Sequence, residues 1–216
     1  NDVIKGNGKG NIKFELDYFG NMNMYGNYYI ENGEYNFTAL DVIKRKFNVN
    51  SGGKISWKGD PFNAIINIDA IYPLDASLYD LFSGDAIPDE EKQAYRQTVP
   101  VKAKISLTES LFSPAVKLDF DVLNTRAISG SNDMLLEQKI RFIKNDEQEL
   151  NKQVISLLVI NRFLPVNIGV VTGTTVNEGL NANVGSLIST QVTRWISQLS
   201  GSFIPKYLED FQIGVN

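Results

Sequence analysis

Residues 26–70 read GNYYIENGEYNFTALDVIKRKFNVNSGGKISWKGDPFNAIINIDA, and nearly all of this stretch is strand and turn. Tyr28 and Ile30 lead to a predicted turn at Glu31-Asn32-Gly33-Glu34. Tyr35 and Phe37 alternate after it, then Phe47 and Val49, before a second predicted turn at Ser51-Gly52-Gly53-Lys54. Ile55 and Trp57 alternate next, a third turn falls at Lys58-Gly59-Asp60-Pro61, and Ile66, Ile68 and Ala70 follow. Period-2 spacing puts such apolar side chains on one face of a sheet and the polar residues on the other. The turn residues are Gly, Asn, Asp and Pro, which supply positive φ or a pre-set φ. The stretch therefore predicts an antiparallel meander of at least four strands.

The pattern extends towards the start of the chain. Ile12, Phe14 and Leu16 alternate, a hairpin is expected at Tyr18-Phe19-Gly20-Asn21, and Met22 and Met24 lie on its return strand. Beyond Ile71 the alternation breaks. Leu74, Leu78, Leu81 and Phe82 sit near helical spacing, and Ser83 to Glu91 is acidic. The region 74–98 is expected to be an insertion whose acidic part forms a surface excursion or a short helix. Val101, Ala103, Ile105 and Leu107 then alternate, followed by a break at Leu111-Phe112-Ser113-Pro114 and a return through Val116, Leu118, Phe120 and Val122. Residues 1–123 are thus expected to form the sheet.

Residues 124–216 differ in character. Ser129 to Asp133 looks like a loop and N-cap ahead of a helix carrying Leu136, Ile140 and Ile143. Asn145-Asp146-Glu147 caps a second helix with Leu150, Val154, Leu157 and Leu158 on one face and Asn161 at the next position of that face, and Pro165 is expected to stop it. A Gly-, Thr-, Asn- and Val-rich stretch spans 166–185. A last amphipathic helix with Ile188, Val192, Trp195, Ile196 and Leu199 follows, and a further strand starts near Phe211.

Composition removes several function classes. The chain has 216 residues and is 43% hydrophobic and 21% charged, which is globular composition. Its formal net charge of −4 argues against a nucleic-acid carrier. It has no Cys, hence no disulfide, thiolate zinc site or thiol nucleophile, and no His, hence no Ser–His or Cys–His arrangement. An enzyme here would run on carboxylates, Lys or Tyr alone, and none is expected. The absence of an initial Met and the strand-like character of 211–216 predict a piece of a longer protein.

The order of these parts resembles a known family. The phrase Gly26 to Phe37 comes first, and Gly53-Lys54-Ile55-Ser56-Trp57-Lys58-Gly59-Asp60-Pro61 follows, running into Ile68-Asp69-Ala70-Ile71-Tyr72. Val99-Pro100-Val101 and Ser113-Pro114 come next, then the helix with Glu149 to Leu158, and last the Trp195 helix. This resembles the C-terminal domain of TamB, the translocation and assembly module protein of Gram-negative bacteria, in its Bacteroidetes flavour. The resemblance implies a mainly β fold, an antiparallel meander curled into an apolar groove or half-pipe, with two or three helices in the C-terminal half. It implies a long periplasmic parent, anchored in the inner membrane and reaching an outer-membrane partner of the Omp85 family (TamA-like). It implies outer-membrane protein assembly, phospholipid movement between the two membranes, or both. It supplies no catalytic residue and no cofactor.

The residues are compatible with that. Alternation gives the apolar face Phe14, Tyr28, Ile30, Tyr35, Phe37, Phe47, Ile55, Trp57, Ile66, Ile68, Ile105, Leu118 and Phe120 as candidate lipid-groove residues. An acyl chain exposed to water costs about 0.8 kcal/mol per CH₂, so roughly 12 kcal/mol for about 15 carbons, and an apolar groove removes that penalty. The competing reading is an ordinary closed core, with the domain acting as a protein-docking module on an outer-membrane barrel, by edge-strand pairing for example. The stripes of Leu150–Leu158 and Ile188–Leu199 are expected to pack on the sheet. Asp69, Asp119 and Asp121 fit a solvated face better than an acid–base pair. Asp85, Asp89, Glu90 and Glu91 lack calcium-loop spacing. Gly6, Gly8 and Gly10 do not lead from a strand into a helix, so dinucleotide binding is discounted.

Overall fold

The computed structural model describes residues 3–39, 43–83, 85, 88–123 and 133–166. The expected Ile188, Val192, Trp195, Ile196 and Leu199 helix and the strand near Phe211 lie outside them, as does the side chain of Phe37. Seven strands form one antiparallel sheet. They are β1 (Val3–Leu16), β2 (Met22–Ala39), β3 (Ile43–Val49), β4 (Lys54–Gly59), β5 (Ile65–Ser77), β6 (Thr98–Ser110) and β7 (Ser113–Val122). The sheet order is β1-β2-β3-β5-β6-β7, with β4 pairing β2 and β5. Every strand thus lies beside a neighbour in sequence, which is the expected meander. Three helices are described: α1 (Asp89–Ala94), α2 (Asp133–Asn145) and α3 (Glu147–Ile160). The mainly β class and the helices after the sheet match the expectation.

Two predicted turns do not reverse the chain. Glu31-Asn32-Gly33-Glu34 lies inside β2, which runs unbroken through 18 residues. Asn7 faces Asn32 and Gly8 faces Ile30, so Glu31 is one extra residue against β1. Such a bulge inverts the alternation, which is why Ile30 and Tyr35, an odd number of residues apart, are both buried. Ser51-Gly52-Gly53-Lys54 does not reverse the chain either. β3 and β4 both run antiparallel to β2, so they lie end to end along it. Ile30 bridges the break, donating N–H to the Gly53 carbonyl at 2.7 Å and accepting from Gly52 N–H at 2.9 Å. Gly52 takes a positive φ, 95°, at the break between β3 and β4, whereas no residue of Glu31–Glu34 takes one.

The other turns are where the sequence puts them. Asp17 closes the β1–β2 hairpin: its carboxylate accepts from Phe19 N–H, Asn21 N–H and Asn21 Nδ2 at 2.7–2.9 Å. Asp60 does the same at the β4–β5 turn, accepting from Phe62 N–H and Asn63 Nδ2. β6 and β7 are joined through Leu111 and Phe112, with Pro114 already inside β7.

The chain divides into two compact units. Among the described residues the first comprises 3–70 and 106–116, and the second 71–105 and 117–166. In the second, β5 runs on to Ser77, and Leu78, Leu81 and Phe82 are buried in and beside a short 3-10 turn. The acidic stretch after it does give a short helix, α1, and Tyr95 at its end stacks on Phe82 at 4.1 Å. α3 starts at the expected cap, Asp146, which accepts from Gln148 and Glu149 N–H. It ends earlier than Pro165: Asn161 adopts the left-handed conformation, φ 55°, and closes the helix. Asn161 is therefore an exposed cap and not a member of the apolar stripe. Phe163 beyond it lies edge-on against Phe120 of β7, 5.3 Å between ring centres.

Candidate functional site

In the first unit the strand register places the candidate groove residues row by row. Phe14 faces Met24, which faces Gly59. Ile12 faces Gly26, which faces Trp57, and Tyr28 faces Ile55, which faces Ile66. Facing residues of antiparallel strands share a side of the sheet, so these side chains line one surface. Met24, Trp57 and Ala64 form a buried cluster, with Ile12, Tyr28, Ile55 and Leu111 packed against it. Ile30, Tyr35, Phe47, Ile66 and Ile68 are buried as well, Tyr35 and Phe47 in ring contact at 6.0 Å.

This apolar surface does not stop at the buried cluster. Towards the β1–β2 hairpin it continues through Phe14, Leu16 and Met22, which are half or more exposed. Leu16 faces Met22 in the last pair before the turn. An apolar surface thus runs from the Trp57 cluster out to solvent at the turn end.

The opposite side of the same strands is polar. Two rows cross it: Lys13–Tyr25–Lys58 and Lys9–Tyr29–Lys54. Lys9 pairs with Glu31 at 2.6 Å and Lys13 with Glu15 at 2.5 Å. Ser56 donates to Asn27 at 2.8 Å between the rows, and Ser106 donates to Asp69. Asp69 therefore serves a side-chain hydrogen bond, not an acid–base pair.

The second unit brings together Ile105, Leu118 and Phe120, all buried, with Phe120 against Phe163. The helix-face residues Leu150, Val154, Leu157 and Leu158 are buried, and so are Gln153, Ile155 and Ser156, which the periodicity did not pick out. The polar pair has a task there. Gln153 donates to the Leu164 carbonyl and accepts from Leu164 N–H, while Ser156 donates to the Arg162 carbonyl. They satisfy the backbone of the chain as it leaves α3. Asp119 and Asp121 form ion pairs: Lys144 reaches Asp119 at 2.9 Å and Asp121 at 3.4 Å, and Lys104 also pairs Asp121. Burial works against the Asp121 charge, but the hydrogen bonds and charges of Lys104 and Lys144 outweigh it and hold the carboxyl below its usual range.

A group that sequence reading missed is Lys139. Its ammonium is buried over the Phe82 ring, donates to the Leu81 and Val166 carbonyls, and pairs with Asp85. Burial lowers its pKa, against the pull of Asp85 in the other direction. The signal was present: Lys139 lies three residues after Leu136 and four before Ile143, on the apolar stripe. A hollow of about 470 Å³ in this unit is lined by Asp75, Tyr79, Asp80, Arg96 and Arg162 among others. Its charges serve each other, Arg162 gripping Asp80 with two nitrogens at 3.0–3.1 Å and Arg96 lying over Tyr79. Among the described residues no group of acidic side chains is arranged to hold a metal, and no helix is long and apolar enough to cross a membrane.

The family model for the TamB C-terminal domain matches residues 1–215. No curated protein and no solved structure matches the chain.

Proposed function

The chain belongs to the TamB C-terminal domain family, and from that premise we propose that its first unit holds phospholipid acyl chains on the apolar side of its sheet. Membership carries a role in building the cell envelope and an association with that envelope. The finer reading adds phospholipid movement between the inner and outer membranes, in a periplasmic parent anchored in the inner membrane and partnered by an Omp85-type barrel. The observation that supports it is the apolar surface running from Met24, Ile55 and Trp57 out to Phe14, Leu16 and Met22. An acyl chain needs an apolar path with an open end, and no directional hydrogen bond holds it in place along that path. The role is non-catalytic: a chain without His or Cys lacks the usual bases and nucleophiles.

Photo-crosslinking in living cells tests this reading, with probes at Phe14, Met24 and Trp57 and at the polar-side controls Lys9 and Lys54. Lipid adducts on the apolar set alone are expected. Adducts to lipid at neither set would refute it. One observation favours a second reading, a closed core that docks on a barrel without carrying lipid: Trp57, Ile66 and Ile68 are buried in this chain without any lipid. Protein adducts at Phe14 with none at Met24 or Trp57 would select it.

A further inference from the structure

The three turns at one end of the first unit share a feature that their geometry does not require. The β1–β2 hairpin turn carries Tyr18 and Phe19, 97% and 86% exposed, their rings edge to face at 5.7 Å. The β4–β5 turn carries Phe62, 62% exposed. The β6–β7 turn carries Phe112, whose ring lies 5.7 Å from that of Phe62. The register puts these turns together. Met24, two residues beyond the end of the first hairpin, faces Gly59 at the end of β4, and Leu111 N–H donates to the Ala64 carbonyl at 2.8 Å. The first two turns are held by hydrogen bonds to the Asp17 and Asp60 carboxylates, which use the Phe19 and Phe62 backbone N–H groups and not the rings of Tyr18, Phe19 and Phe62. Exposed aromatic side chains on successive turn tips are a chemistry added to the turns.

The charges behind the tips say what those rings fit. The Lys13–Tyr25–Lys58 row crosses the polar side three residues before the end of β1, about 10 Å from it at 3.3 Å per residue. Lys13, Tyr25 and Lys58 are all exposed, and Lys13 exchanges its exposed partner Glu15 for a headgroup phosphate on docking. A Lys–Tyr–Lys band set back by that distance from the Tyr18–Phe19 tip, and by one residue from the end of β4 ahead of the Phe62 turn, matches the layering of a bilayer surface. Aromatic rings settle at the interface, Tyr at headgroup level, and lysine stems reach up to lipid phosphates. Separate protruding rings also suit a fluid surface, which fills around them, better than a protein partner, which needs a continuous matching face. We infer that the turn end of the first unit is a membrane-docking edge: Tyr18, Phe19 and Phe62 enter the interface of a phospholipid bilayer, and Lys13 and Lys58 contact its anionic headgroups. This edge needs no acyl chain bound on the apolar side of the sheet.

Vesicle co-sedimentation of the full chain tests it, with phosphatidylcholine vesicles and with phosphatidylcholine mixed with phosphatidylglycerol. The wild type is expected to sediment with both and more strongly with the mixture. The excess on the mixture falls as salt rises from about 0.05 to about 0.5 M. Tyr18→Ser with Phe19→Ser loses at least about tenfold in partition coefficient on both vesicles. Phe62→Ser, a single change at a separate turn, loses about three- to tenfold and stands in if the double variant does not fold by circular dichroism. Lys13→Gln with Lys58→Gln removes the preference for the mixture and keeps the binding to phosphatidylcholine. Failure of the wild type to bind either vesicle overturns the inference, as do variants that sediment like the wild type. Variants that keep vesicle binding but lose crosslinks to an outer-membrane protein overturn it in favour of a protein partner. Lipid adducts at Trp57 in the tip variants separate this edge from the acyl-chain path, since they persist when only the edge is lost.

Discussion

Replacing Lys139 with Met isolates the one charged residue that is buried among the described residues. The side chain is 3% exposed, and its ammonium serves the Leu81 and Val166 carbonyls and the Asp85 carboxylate. Lys139→Met keeps the length of the stem and removes every donor. Leu81 and Val166 are themselves buried, so their carbonyls lose a partner without gaining water, at about 1–3 kcal/mol each for a full loss. The Val166 contact is long, 3.4 Å, and carries the smaller share. Asp85 is a quarter exposed and recovers part of its hydration. The net cost is therefore about 2–4 kcal/mol, at or below the usual range for breaking a buried pair. With m of about 1–3 kcal/mol/M, the urea midpoint falls by roughly 1–2 M. Adding Asp85→Asn removes the stranded carboxylate, so the double variant recovers part of that loss. A pH series checks the cause. Burial lowers the Lys139 pKa from the ordinary lysine value of 10.5, so between the two values the unfolded chain binds the extra proton. Wild-type stability therefore rises with pH across that interval, and the gap between wild type and Lys139→Met widens. A midpoint unchanged in Lys139→Met, or a gap that narrows as pH rises towards 10.5, would refute the reasoning.

Three further outcomes are expected. Gly26→Ala costs at least about 2 kcal/mol by chemical denaturation, because φ is +132° and the new Cβ would meet the Asn11 carbonyl at 2.0 Å. Gly52→Ala, with φ +95° and open space around it, costs only about 1 kcal/mol, and equal losses at the two sites would contradict the register. Asp146→Ala costs about 1 kcal/mol through the lost cap of α3, seen as a lower thermal midpoint, and Asp146→Asn restores most of it. Asp121→Asn costs roughly 0.5–1 kcal/mol at neutral pH, since the pair is partly exposed. The folded Asp121 pKa is depressed, so its contribution is present above the unfolded value near 3.8 and lost as pH falls through the folded one. Wild type and Asp121→Asn thus converge once pH has fallen through the folded value, and a gap that persists in acid while the chain stays folded would count against the Lys104 and Lys144 pairing.

Much of the sheet was legible because alternation and turn residues are local signals. The hairpin at Asp17–Asn21 and the Asp60–Asn63 turn are written in side chains that cap their own backbone. Glu31–Glu34 and Ser51–Lys54 misled for a physical reason: Asn and Gly suit a bulge and a reversal alike. Only pairing with β1 and β2 decides between them, and pairing is not local. The place of Lys139 on the apolar stripe is legible in the sequence, but its acceptors, Leu81, Asp85 and Val166, are not, because they lie far away in sequence. Gln153 and Ser156 were hidden for a related reason, since they serve the backbone that returns after α3. Tyr18 and Phe19 were read as turn residues and Phe62 follows a predicted turn, and only the joint position of three turns makes them an edge.

The central claim is that the apolar side around Trp57 receives acyl chains. The chain has two tryptophans, so Trp195→Phe leaves Trp57 as its one indole reporter. The decisive measurement is quenching of that emission by a lysophospholipid carrying bromine on its acyl chain, used below its micelle-forming concentration. The account predicts saturable quenching by the brominated lipid, competed away by the unbrominated lipid, and little quenching by aqueous iodide. Emission indifferent to the brominated lipid, in a chain that remains folded, would contradict it and leave the Trp57 surface a closed core.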